Sequence, residues 1–166
     1  MSGDKLADYE LKILANVEKY GCHVTTVFDP ENQDPSFAYS TGFTETAGQG
    51  EIIVFGLDHE LMHRMINTIL QSCRDGLSLT DGERIEGVLD GFDVIARQIP
   101  PTAIDREHFN SAIWFHRLRF GTELCSAFQI VWPGAQDGLF PGDDRCDQLV
   151  VGMQPALYKG GERSHG

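Results

Sequence analysis

Apolar residues recur every three or four positions at Leu6, Tyr9, Ile13, Leu14, Val17 and Tyr20, and Gly21 follows where a helix can close in a left-handed turn. The spacing predicts an amphipathic helix over 4–20. The β-branched run Val24, Thr25, Thr26 and Val27 predicts a strand over 22–28, ended by two Asp-Pro pairs within 29–35. A second strand is expected over 37–43, followed by a glycine-rich loop around Gly48 and Gly50. The unbroken apolar run after Glu51 suits a central strand covered on both faces. Behind Asp58, a good N-cap, Leu61, Met62, Met65, Ile66, Ile69, Leu70 and Cys73 mark a helix that ends near Gly76. Residues 84–89 and 92–99 form a hairpin through Asp90-Gly91. Asp105 caps a third helix running to about residue 120, and 124–132 reads as a strand. An acidic loop over 137–147 precedes a short edge strand at 149–153, and 1–3 and 159–166 read as frayed ends.

Strands and helices do not alternate regularly, and hairpin pairing dominates. The expected class is α+β: a single domain with a mostly antiparallel sheet and about three helices, placed on one side. A chain of 166 residues suits one domain, and 41% hydrophobic content supports a sizeable core. The formal charge of −12 argues against nucleic-acid and peripheral-membrane partners, because it repels phosphate backbones and anionic headgroups. No signal peptide or membrane span is visible, so a cytoplasmic protein is expected. Cys22, Cys73, Cys125 and Cys146 form no C-x-x-C pair and read as reduced thiols, with Cys146 the one expected at the surface.

Several groups could carry chemistry. His59-Glu60-Leu61-Met62-His63 matches H-E-x-x-H, in which two imidazoles one helical turn apart grip zinc and the glutamate activates water. The motif lies in the helix's first turn, Met62 is bulky, and Glu83 and Glu86, the candidate third ligands, sit near a loop and hairpin. Two half-exposed histidines are the simpler reading, so no cofactor is favoured, zinc remaining the alternative. His116 shares a face with Phe109, Ala112, Ile113 and Phe120 and would be held in an apolar setting, beside the basic pair Arg117 and Arg119. Tyr39 and Thr41 lie on one face of their strand, and Gln129 and Trp132 place hydrogen-bonding groups in an apolar run, where an amide usually ties down a loop. Asp137, Asp143, Asp144 and Asp147 do not fit a calcium loop, and no G-x-S-x-G elbow is present.

Tyr39-Ser40-Thr41-Gly42-Phe43, the run from Glu51 to Leu57, Gln129-Ile130-Val131-Trp132-Pro133 and Asp137-Gly138-Leu139-Phe140-Pro141 together resemble domain-of-unknown-function family 4262, an uncharacterised bacterial family. The resemblance runs from about Gly21 to Leu149. It implies a small cytosolic bacterial protein of unassigned activity and carries over no cofactor or catalytic residue. Because the matching motifs include the tyrosine strand and the tryptophan segment, the expected site is a cleft where Tyr39, Thr41, Gln129, Trp132 and His116 contact a small polar molecule or a peptide. A zinc hydrolase built on His59, Glu60 and His63 is one alternative, and an acidic interaction or immunity-type protein that masks a basic partner is another.

Overall fold

The computed structural model describes residues 6–28 and 35–159. Helix α1 (Asp8–Tyr20) leads into β1 (His23–Val27) and β2 (Phe37–Thr41). A short α2 (Phe43–Ala47) precedes β3 (Glu51–Phe55) and α3 (His59–Arg74). The hairpin β4 (Arg84–Leu89) and β5 (Phe92–Gln98) is followed by α4 (Arg106–Phe120), β6 (Ala127–Val131) and α5 (Gln148–Gly152). The strands form one sheet in the order β1-β2-β3-β6-β5-β4. Every neighbouring pair is antiparallel except β3 and β6, so the class is α+β with a mostly antiparallel sheet.

The central strands β2, β3 and β6 are buried at every position, which requires cover on both faces. On one face, Met62, Met65, Ile66 and Ile69 of α3 pack against Ala38, Ile52, Val54 and Ile130. On the other, Phe109, Ala112 and Ile113 of α4 meet Phe37, Tyr39, Ile53 and Phe55. Helix α1 joins the molecule through Ile13 and Val17 against Phe115 of α4. The expectation of helices on one side is thus corrected: a sheet centre apolar at successive positions cannot leave either face to water.

Three local expectations are also corrected. Phe43 opens α2 instead of ending β2, because Gly42 turns the chain in the left-handed region (φ 109°). That helix fills the stretch just ahead of the expected glycine-rich loop around Gly48 and Gly50. The edge strand expected at 149–153 is α5, whose start is set by Asp147 accepting the Leu149 N–H at 2.9 Å. Local capping outweighs the β preference of two valines in so short a segment. Cys146 is buried, its thiol donating to the Leu139 carbonyl, whereas Cys125 is exposed in the loop before β6. The expected turn at 29–35 lies mostly, and the frayed ends lie almost wholly, outside the described residues. Among the described residues, no helix is long and apolar enough to cross a membrane.

Candidate functional site

Tyr39, Ile53 and Gln129 stand in one row across β2, β3 and β6. Strand β3 therefore separates the two motifs expected to share a cleft, and Ile53, fully buried, occupies the place between them. The polar groups of these strands serve internal partners. The Tyr39 hydroxyl accepts the Ser111 N–H at 2.9 Å, two residues after Phe109 leaves helical dihedrals. The Gln129 amide donates to the Pro155 carbonyl at 2.7 Å and accepts the Leu157 N–H at 2.9 Å, tying down the segment after α5. The Trp132 indole donates to the Phe55 carbonyl at 2.7 Å, while Gln154 bonds both the N–H and the carbonyl of Trp132. Gly56 is needed beside this clasp: its φ is 83°, and a Cβ there would lie 2.6 Å from the Met153 carbonyl oxygen.

The Thr41 hydroxyl is buried with no hydrogen-bond partner among the described residues. His116 is half-buried with its ring 4.7 Å from that of Phe120, and burial holds its pKa below the ordinary histidine value against the opposing pull of Glu123. Of the basic pair beside it, Arg117 bonds Glu123, and Arg119 meets Glu45 at 2.8 Å. The acidic loop also uses its charge locally, with Asp137 and Asp143 accepting the N–H groups of Leu139 and Phe140.

A different set of residues lines a cleft of about 640 Å³ between α1, β1 and α3. Helical spacing explains the assembly. Lys12, Asn16 and Tyr20 repeat every four residues along one face of α1, and His63, Asn67 and Gln71 do the same along α3, with Arg74 three residues further on. Cys22, His23 and Val24 supply the strand between them. A second cavity of about 530 Å³ lies between α1 and α4, lined by Tyr9, Arg106, Asn110, Trp114 and Arg117 among others. None of the five residues expected to form the site lines either cavity.

Inside the larger cleft, the Asn16 amide and His23 Nδ1 are 2.9 Å apart. With the amide nitrogen as donor, the ring nitrogen accepts, and the neutral imidazole carries its proton on Nε2. Burial lowers the His23 pKa first, followed by the nearby charges of Lys12 and His63. The Cys22 thiol donates to Asn67 Oδ1 and is pushed up to about 12, chiefly by burial and then by Glu51, so it stays protonated and is a poor nucleophile. Beneath this region Glu51, fully buried, accepts from Ser40 Oγ at 2.6 Å, from the Gly42 N–H at 2.8 Å and from the Phe43 N–H at 3.1 Å. It thereby caps α2 from the following strand. Burial raises its pKa to about 7 against the pull of those three donors.

His63 of the H-E-x-x-H sequence lies in this cleft, whereas His59 packs edge-on against Phe28 with ring centroids 5.7 Å apart. Among the described residues, the grouping of three ligand-type side chains close enough to share an ion is Asp105, Glu107 and His108, which contains neither histidine of the motif. There Asp105 caps α4 by accepting the His108 N–H at 3.1 Å.

Neither the curated proteins nor the solved structures include a significant match to this chain. Residues 16–147 match the family described as a domain of unknown function, DUF4262, and the match takes in the C-terminal part of α1, all of α3 and every strand. The α+β fold with its α1–β1–α3 cleft is thus that of a chain that belongs to the DUF4262 domain family.

Proposed function

We propose that the protein is a small-ligand-binding module whose site is the cleft between α1, β1 and α3. The carrying observation is the convergence of Asn16, His23, His63 and Asn67, from three elements, on one cavity of about 640 Å³. That volume falls within the usual range of roughly 300–1,000 Å³ for small-molecule sites. Its apolar base comes from Val24 and Leu70, and the amides and imidazoles supply orientation.

A thermal-shift screen of metabolites against the wild type and Asn67→Leu tests the reading. A compound present at about 100 times its Kd stabilises the folded chain by about 2.7 kcal/mol, which for this size raises Tm by about 5–10 °C. The shift is expected to shrink to less than half in Asn67→Leu. Equal shifts in both proteins, across every stabilising compound, would overturn the assignment.

A further inference from the structure

We infer that the cleft receives an oxyanion, the phosphate or carboxylate of its ligand, between Lys12, His23, His63 and Arg74. The inference rests on the cleft being the binding site. Its first support is charge. The chain carries 25 acidic against 13 basic residues, yet no carboxylate lines this cavity, while Lys12 and Arg74 do. Among the described residues neither cation has a carboxylate within salt-bridge distance, in contrast to Arg84, Arg97, Arg117 and Arg119. Arg74 is exposed and its head group reaches back to the turn at Gly21. A Cβ on Gly21 would meet its Nη2 at 2.5 Å, so the guanidinium lies directly over the backbone that closes α1.

The second support is hydrogen-bond polarity. Asn67 Oδ1 is taken by the Cys22 thiol, which leaves the amide nitrogen to donate. His23 Nδ1 is taken by Asn16, which leaves Nε2–H to donate. With the Lys12 ammonium and the Arg74 guanidinium, the unengaged groups of Asn67, His23, Lys12 and Arg74 are donors, and an oxyanion is the complement that satisfies them.

The same arrangement couples binding to protons. His23 is faced by Lys12 from α1 and His63 from α3, and beside it the neutral Cys22 thiol feels the charges of Arg74 and Glu51. Burial and the neighbouring positive charge hold its pKa down, and a bound anion reverses that field. Binding then raises the His23 pKa and takes up a proton, so affinity increases as pH falls between the bound and free values. Protonated Nδ1 needs an acceptor, which Asn16 provides by turning its amide to present Oδ1.

The test uses inorganic sulfate, whose charge does not change near neutrality, titrated into isotope-labelled protein at constant ionic strength and followed by NMR. Saturable shifts are expected at His23, His63, Asn67 and Arg74, severalfold tighter at about pH 6 than at about pH 8. Arg74→Gln is expected to weaken binding about tenfold, equivalent to about 1.4 kcal/mol. Phosphate and acetate arms then distinguish a phosphoryl from a carboxylate ligand. Absence of saturation, equal affinity in Arg74→Gln, or shifts centred on Arg106 and Trp114 would overturn the inference. If neutral compounds still show Asn67-dependent stabilisation, the binding site stands and only its anionic character falls. If no compound does, the site itself falls.

Discussion

Replacing Glu51 by alanine is expected to lower the unfolding free energy by about 3 kcal/mol or more, measured by urea denaturation near pH 5. The substitution leaves the Ser40 hydroxyl and the N–H groups of Gly42 and Phe43 without their acceptor, and each buried unmatched group costs about 1–3 kcal/mol. Helix α2 also loses the side chain that, among the described residues, caps its start, since Gly42 offers none. The loss is smaller at higher pH, and the sign follows from the raised pKa. Glu51 moves from an ordinary 4.5 to about 7 on folding, so its neutral form is the one the fold favours. Its contribution is fully present below the unfolded value and is lost as pH rises through about 7, a change of about 3 kcal/mol. Glu51→Gln, which cannot ionise, removes this dependence. The wild type should therefore lose stability relative to Glu51→Gln between about pH 4.5 and 7. Parallel pH profiles for the two proteins would show that the carboxyl titrates alike in the folded and unfolded chains.

Trp132→Ala is expected to destabilise the fold by about 3–5 kcal/mol, the usual range for removing a large buried aromatic side chain. The indole is 7% exposed, packs in the core with α3, and donates to the Phe55 carbonyl. Trp132→Phe separates these contributions. It keeps most of the contact area and leaves one buried carbonyl unmatched, for an expected loss of about 1–3 kcal/mol. Urea denaturation of both variants checks the ordering. A Trp132→Ala protein as stable as the wild type would contradict the structural role assigned to the indole.

Much of the fold was legible in the sequence because its strongest elements depend on local pattern. The apolar stripe of α3 behind Asp58, the Asp90-Gly91 hairpin and the apolar run of β3 each carry their own signal. What was not legible depends on partners distant in the chain. Helix α2 is five residues long and is capped by Glu51, which belongs to the next strand. The valines of α5 favour a strand until Asp147 and the Gln154 clasp are considered. The cover on both faces follows from the burial of β2 and β6 as well as β3, and only β3 has an uninterrupted apolar run.

The proposed site was harder to read for the same reason. Tyr39, Gln129 and Trp132 attract notice as polar groups in apolar strands, yet the Ser111 N–H, the 155–157 segment and the Phe55 carbonyl engage them. The expectation that an amide in such a strand ties down a loop describes Gln129 well. Conversely, Lys12, Asn16, His63, Asn67 and Arg74 look in sequence like the solvated sides of two amphipathic helices. The signal that could have found them is the pair of polar stripes at three- and four-residue spacing. Their meeting across Cys22 and His23 arises only from the tertiary packing of α1 and α3 on either side of β1.

The most direct test of the cleft as the binding site is an amide and side-chain NMR shift map recorded while the most stabilising compound from the thermal screen is titrated into the wild-type protein. The account predicts saturable changes centred on Asn16, His23, His63 and Asn67. Changes centred instead on Asn110 and Trp114 in the α1–α4 cavity, with the α1–β1–α3 residues unmoved, would contradict it.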